Sequence, residues 1–188
     1  MTLCLLLLAL FATQGALPHV VVETDLGEIE IEVDTAHAPV TATNFLKYVD
    51  AKMYDGGRFH RTVRMDNQPD KAIKIEVIQA GASAARTREF LPPIALERTS
   101  VTTLTHDDGV VSMARSEPDS ARDQFFICIG KQPELDFGGK RNPDGQGFAA
   151  FGHVVRGMDV VRKIQASPAE GQNLTPAVAI LRMSRKAP

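Results

Sequence analysis

Alternation of apolar and polar positions is clearest from Glu28 to Val33, where Ile29, Ile31 and Val33 interleave with Glu28, Glu30 and Glu32. A period of two puts the aliphatic side chains on one face, so the segment reads as a half-buried strand with its glutamates outward. Val20 to Thr24 precedes it across Asp25-Leu26-Gly27, and the two runs read as a hairpin. Pro39 opens a helix that runs through Asp50, with Val40, Phe45, Leu46 and Val49 at helical spacing and Asn44 and Lys47 facing outward or lying at the end. That helix suits a lid over one opening of a barrel. Further strands are expected at Phe59 to Arg64, Ile73 to Gln79, Val110 to Ala114, Gln124 to Ile129, Phe148 to Val154 and Val178 to Met183, and Leu96 enters a weaker one. A short helix from Gly157 to Ile164 turns Met158, Val161 and Ile164 inward. About eight short strands and two helices in one chain imply a closed or nearly closed β-barrel, since closure removes exposed strand edges.

The run Gln124-Phe125-Phe126-Ile127-Cys128-Ile129-Gly130 organises the rest. It follows the polar stretch Ser116 to Asp123 and ends at a glycine, as a strand does when it enters a core from a surface loop. Gln124, Phe126 and Cys128 share one face, and Phe125, Ile127 and Ile129 the other. An amide and an aromatic ring are thereby presented together, beyond what burial requires.

With 188 residues and 44% hydrophobic content the chain can build one domain with a real core. A net charge of −2 excludes bulk attraction to nucleic acid or anionic lipid, and no aromatics sit on a basic field. Five histidines and two cysteines show no metal-ligand spacing, and His106-Asp107-Asp108 before Gly109 reads as a solvated turn, so neither metal nor cofactor is expected. Asn173-Leu174-Thr175 reads as loop chemistry, and no Ser/His/acid set stands in sequence context for a hydrolase.

Leu3 to Phe11 is almost wholly apolar, too short for a stable membrane span, and has the form of a secretory leader core, although no Lys or Arg precedes it. Residues 1–16 are therefore expected to be a signal peptide, 17–184 the domain and 185–188 a tail. The protein is then exported to the periplasm or another extracytoplasmic space, or is cytoplasmic if the leader is misassigned. Cys4 leaves with the leader, and Cys128 remains as a small core side chain rather than a nucleophile.

Phe59-His60-Arg61, Gln79-Ala80-Gly81, Ser112-Met113-Ala114-Arg115, Gln124-Phe125-Phe126-Ile127, Leu135-Asp136 and Phe151-Gly152-His153-Val154-Val155-Arg156-Gly157-Met158 occur in the order found in cyclophilins, the peptidyl-prolyl cis-trans isomerases. The resemblance covers roughly Val20 to Met183 and is nearest to the bacterial, in part exported, forms. It implies a mainly β fold, a closed eight-stranded antiparallel barrel capped by two helices. It also implies catalysed rotation about X-Pro bonds in peptides and unfolded proteins, without covalent intermediate, metal or cofactor. Such rotation is opposed by a barrier of roughly 18–20 kcal/mol, and a fixed donor that favours a pyramidal prolyl nitrogen over the conjugated one lowers it. Arginine suits the task because its charge is permanent and its donors form a planar fork.

By that resemblance Arg61 is the catalytic donor and Gln79 positions peptide or guanidinium. Phe126 floors the proline pocket, Leu135 and Phe148 wall it, and Gln124 bonds substrate backbone. Ala114 and Arg115 meet the residue before proline, where the arginine makes that side longer and positive. The departures matter as much. Thr62 to Ile78 is about ten residues longer than the usual connection and lacks its Pro-Gly turn and Phe-Met pair. Glu76 and Val77 stand where the pair belongs, so a pocket wall is lost or replaced, with Met65 a candidate to fold back into it. The polar stretch Met65 to Lys71 is expected to be an exposed loop. Lys131 to Gly147 is enlarged too, and Glu134 replaces an aromatic associated with cyclosporin, so tight binding of that drug is not expected. A monomer is expected. The alternative activity is a cyclophilin-like peptide-binding or chaperone module with weak or no turnover.

Overall fold

The amphipathic run at residues 28–33 folds as expected: β1 (His19–Thr24) and β2 (Gly27–Val33) form an antiparallel hairpin, with Val20 opposite Ile31. The computed structural model describes residues 16–187. The expected leader, Ala16 apart, lies outside the described residues. After α1 (Pro39–Asp50) come β3 (Arg58–Val63), β4 (Val77–Gly81), the short α2 (Thr99–Thr102), β5 (Val110–Met113), β6 (Phe125–Cys128) and β7 (Ala149–Arg156). The chain ends with α3 (Met158–Ala166), β8 (Ala169–Glu170) and β9 (Asn173–Arg185). Pairing runs β1-β2-β7-β5-β6-β4-β3-β9, and β9 returns to β1, so eight antiparallel strands close into a barrel. The two-residue β8 is an appendage of β9.

Strand β6 divides the apolar side chains as its alternation requires. Phe125 and Ile127 enter the main core with Val22, Ile31, Ile78 and Phe151, where Phe125 meets Phe45, Tyr54 and Phe59 edge-on at 5.5, 5.5 and 6.0 Å. Such aromatic contacts add about 0.5–1.5 kcal/mol each beyond area burial. Phe126 and Cys128 point the other way, into a second cluster with Val63, Ile75, Val77 and Leu135. That cluster lies on the outer face of the barrel wall and forms the base of the site described below. Cys128 is a free, buried thiol, and burial pushes its pKa well above the ordinary range, as befits a core side chain.

Several expected details change. Glu30 is not outward but buried, because His19, Arg156 and Lys186 surround its carboxylate. In α1 the inner face is rotated: Asn44 is buried and donates to the Arg122 carbonyl, while Val40 is exposed. Ile73 to Glu76 forms no strand, and Leu96 enters none, its N–H donating instead to Asp119. The last strand starts at Asn173, so Asn173-Leu174-Thr175 is strand and not loop. The expected tail is pinned, with Arg185 paired to Asp50 and the Lys186 N–H donating to the His19 carbonyl. Among the described residues no helix is long and apolar enough to cross a membrane.

Candidate active site

Arg61 and Gln79 lie directly opposite one another on β3 and β4, and Gln79 lies opposite Phe126 on β6. Three strands therefore bring residues 61, 79 and 126 side by side. The Arg61 guanidinium is half-buried and held at two edges. Nη1 donates to Gln79 Oε1 at 2.9 Å, while Nε and Nη2 donate to Gln172 Oε1 at 2.9 and 2.6 Å. Of the five N–H donors of an arginine these bonds occupy three, leaving two for a ligand. Burial lowers the Arg61 pKa below its ordinary value, and among the described residues no carboxylate pairs with it. Its positive charge is thus fixed in place and uncompensated. Gln79 Nε2 in turn donates to Gln124 Oε1 at 2.7 Å, so Gln124, exposed and one residue before β6, closes a row of amides behind the guanidinium.

Beside this row is a cavity of about 340 Å³. Phe126, Leu135, Phe148, Ile75 and Val77 supply its apolar lining. Phe126 meets Phe148 edge-on at 5.3 Å and 90°. Phe148 is set by Gly147, whose φ of +65° and close approach to the backbone of Asp136 exclude any side chain there. A second opening of about 240 Å³, lined by Ser116, Ser120 and Asp123, shares Gln79, Ala114 and Arg115 with the first. The two openings adjoin along these three residues.

The wall thought lost is rebuilt from the insertion. Met65 does not fold back and is 52% exposed; Ile75 and Val77 supply the apolar surface. Glu76 turns away from the cavity and accepts from Gln165 Nε2 of α3 at 3.1 Å. Nor is the 65–71 stretch wholly an exposed loop, because the buried Gln68 amide ties it together. Nε2 donates to the carbonyls of Arg64 and Ile75 at 2.7 and 2.8 Å, and Oε1 accepts from the Ile75 N–H at 3.3 Å and Arg141 Nη1 at 2.9 Å. Asn67 braces the other side, its Nδ2 donating to Thr62 and Gly171 and its carbonyl accepting from Gln172 Nε2.

Arg115 departs from expectation. Its side chain, 1% exposed, does not offer positive charge to the groove. It forms a two-pronged pair with Asp144, donates to the Gly147 carbonyl, and covers the Phe148 ring at 5.1 Å. The hydrogen bonds from Arg115 hold the Asp144 carboxyl below its ordinary pKa. The residue therefore staples the 131–147 loop.

His106 is likewise not in a solvated turn. It is buried, stacked on Phe126 at 5.9 Å and 16°, with Nδ1 2.7 Å from Asp136 Oδ1 and Nε2 2.9 Å from Ser112 Oγ. An acid, a histidine and a serine do meet in space. Ser112 has no exposed surface, so no substrate reaches its hydroxyl, and the set serves to fix the plane of the Phe126 ring from behind. Among the described residues no group of three or more metal-binding side chains forms.

Gln172, Gln68, Asn67 and Arg141 were not singled out by sequence, and His106 was read only as part of a turn. The one signal that could have flagged Gln68 and Asn67 is the presence of two amides inside the long connection between Arg61 and Gln79.

Residues 19–185 match the family described as cyclophilin type peptidyl-prolyl cis-trans isomerase/CLD. A peptidyl-prolyl cis-trans isomerase A of Dickeya dadantii is 36% identical over 161 residues, covering 84% of this chain and 75% of the relative. A peptidyl-prolyl cis-trans isomerase of Acinetobacter baylyi is 35% identical over 162 residues, covering 85% and 79%. In fold, the chain is similar to the crystal structure of a cyclophilin type isomerase of Cryptosporidium parvum, with a TM-score of 0.73 over 92% of this chain and 99% of that one at 19% identity.

Proposed function

The chain belongs to the cyclophilin-type peptidyl-prolyl cis-trans isomerase family, and from that premise we propose that its groove catalyses X-Pro rotation with Arg61 as the donor. The enzyme accelerates exchange between cis and trans prolyl bonds. The observation that carries the assignment of roles is the guanidinium locked between Gln79 and Gln172 beside an apolar cavity, with two donors still free.

A prolyl ring enters between Phe126, Leu135 and Phe148, excluding water from one side of the bond. The free N–H groups of Arg61 then lie where the prolyl nitrogen gains a lone pair as amide conjugation is lost. That charge exists in the twisted state and not in either planar ground state, so the interaction lowers the barrier rather than deepening the wells. No proton moves and no bond is made. Gln79 and Gln172 keep the fork aimed, Gln124 engages the peptide backbone, and Ala114 leaves room where the groove passes toward its second opening. Glu76 faces away from the cavity, which removes the feature that would have favoured a module that binds peptide without turnover.

Within the family the chain reads as a bacterial exported form, supported by the apolar segment Leu3 to Phe11. It acts there as a monomer on proline-containing peptides and unfolded proteins. Cyclosporin is held weakly, because Glu134 stands where many relatives carry an aromatic residue associated with that drug. N-terminal sequencing of protein from cell fractions tests the export: a product starting near residue 17 outside the cytoplasm is expected, and full-length protein in the cytosol contradicts it. Loss of catalysed exchange in Arg61→Ala tests the site.

A further inference from the structure

The enlarged 62–78 connection and the enlarged 131–147 loop meet at one side chain. Arg141 donates from Nη1 to both Gln68 Oε1 and the Ile73 carbonyl, at 2.9 and 2.7 Å, while its own N–H donates to the Glu134 carbonyl. It lines the proline cavity beside Arg61 and Lys71. Its Nη2 and Nε are left for a ligand. The acids nearest in the loop are committed elsewhere: Asp144 to Arg115, and Glu134 to the Lys140 N–H. Among the described residues no carboxylate pairs with Arg61, Arg141 or Lys71. Two half-buried guanidiniums and an exposed ammonium thus face one cavity with no counter-charge. Burial and then the charge of Arg61 lower the Arg141 pKa below its ordinary value, which agrees with like charges held close together.

Keeping uncompensated cations at a partly dry site costs stability, and the cost is recovered when an anion arrives. The fork of Arg141 is preorganised by Gln68 and the Ile73 carbonyl, so little side-chain freedom is lost on binding. Resting on the assignment of this groove as the isomerase site, we propose that Arg141, assisted by Lys71, selects substrates carrying an anionic side chain next to the proline. The two loops thereby build a specificity subsite while Ile75 and Val77 line the pocket.

The test uses NMR exchange spectroscopy on paired peptides of equal length at low salt, with Glu or isosteric Gln immediately before proline and, in a second pair, immediately after it. Shift titrations on the same samples report affinity. One Glu peptide is expected to show a kcat/KM about fivefold above its Gln twin, the size of a favourable ion pair at a partly exposed site. The position that shows it distinguishes the two sides of the proline. In Arg141→Gln the ratio should fall toward one, and in Arg141→Lys it should survive in part. Equal rates and equal affinities for Glu and Gln in both pairs would overturn the inference while leaving the isomerase intact, as would a preference unchanged in R141Q. Exchange accelerated for none of the peptides would refute the isomerase reading instead, and the titrations would then decide the anion preference alone: equal affinities overturn it. If R141Q does not fold, the wild-type ratios and Lys71→Gln, which is expected to lower the preferred ratio, still decide the matter.

Discussion

Replacing Gln68 by Leu should unpick the insertion without touching the barrel. The leucine has nearly the volume of the amide but none of its polar groups, so four hydrogen bonds disappear at once. Two of them satisfied the N–H and carbonyl of Ile75, a residue 6% exposed. Each stranded buried group costs about 1–3 kcal/mol, but the loop can escape the full penalty by opening to water. The effect is therefore local: about 2–3 kcal/mol off the free energy of loop opening, while the urea midpoint of the barrel moves much less. Hydrogen exchange at Arg64 reads this directly, because its N–H donates to Asn67 Oδ1 and that bond does not involve Gln68. Its protection should fall about 30- to 150-fold, and kcat/KM should fall with it as Ile75 leaves the wall of the pocket. Arg64 protection within about threefold of wild type, together with unchanged kcat/KM, would refute the reasoning that Gln68 holds the rebuilt wall.

Gln172→Ala removes the partner of Arg61 Nε and Nη2; kcat should fall about tenfold with KM changed less than about twofold, and a KM effect alone would contradict an aiming role. Glu30 gives a pH signature. Hydrogen bonds from Lys186 and then His19 lower its folded pKa below the ordinary 4.5, so its contribution is complete above that value and is lost as pH falls through the folded pKa. Between about pH 6 and 3 the urea midpoint of Glu30→Gln should therefore fall less than that of wild type, and parallel curves would refute the pairing. Native Cys128 should resist iodoacetamide and react once unfolded in urea, since burial suppresses its thiolate; prompt labelling of the folded protein would contradict its burial.

Most strand positions and the core were legible in the sequence because they follow from local pattern. The faces of β6 came out as alternation required, with Phe125 inward and Phe126 at the site. Arg61, Gln79 and Phe126 were legible for another reason: they stand in ordered motifs, and strand pairing then placed them side by side. What escaped depends on contacts across long stretches of chain. Gln172 lies 111 residues from Arg61, and Arg141 lies 73 from Gln68, so no window shows either bond. Charge was misjudged where partners were invisible. Arg115 promised a positive groove and is neutralised by Asp144, while Arg141, unremarkable in a glycine-rich loop, faces the cavity beside Arg61. Glu30 fits the outward phase of its strand by alternation, yet three basic groups gathered from both ends of the chain and from β7 make burial tolerable.

The central claim is that a guanidinium fixed between two glutamines lowers the barrier to prolyl rotation. NMR exchange spectroscopy of a short X-Pro peptide, with wild type and Arg61→Ala at equal concentration and with both shown to be folded, tests it most directly. The account predicts fast exchange with wild type and a loss of about 10²- to 10³-fold in kcat on removing the donor. Exchange with the folded wild type no faster than in the peptide alone, or full catalysis by R61A, would contradict it.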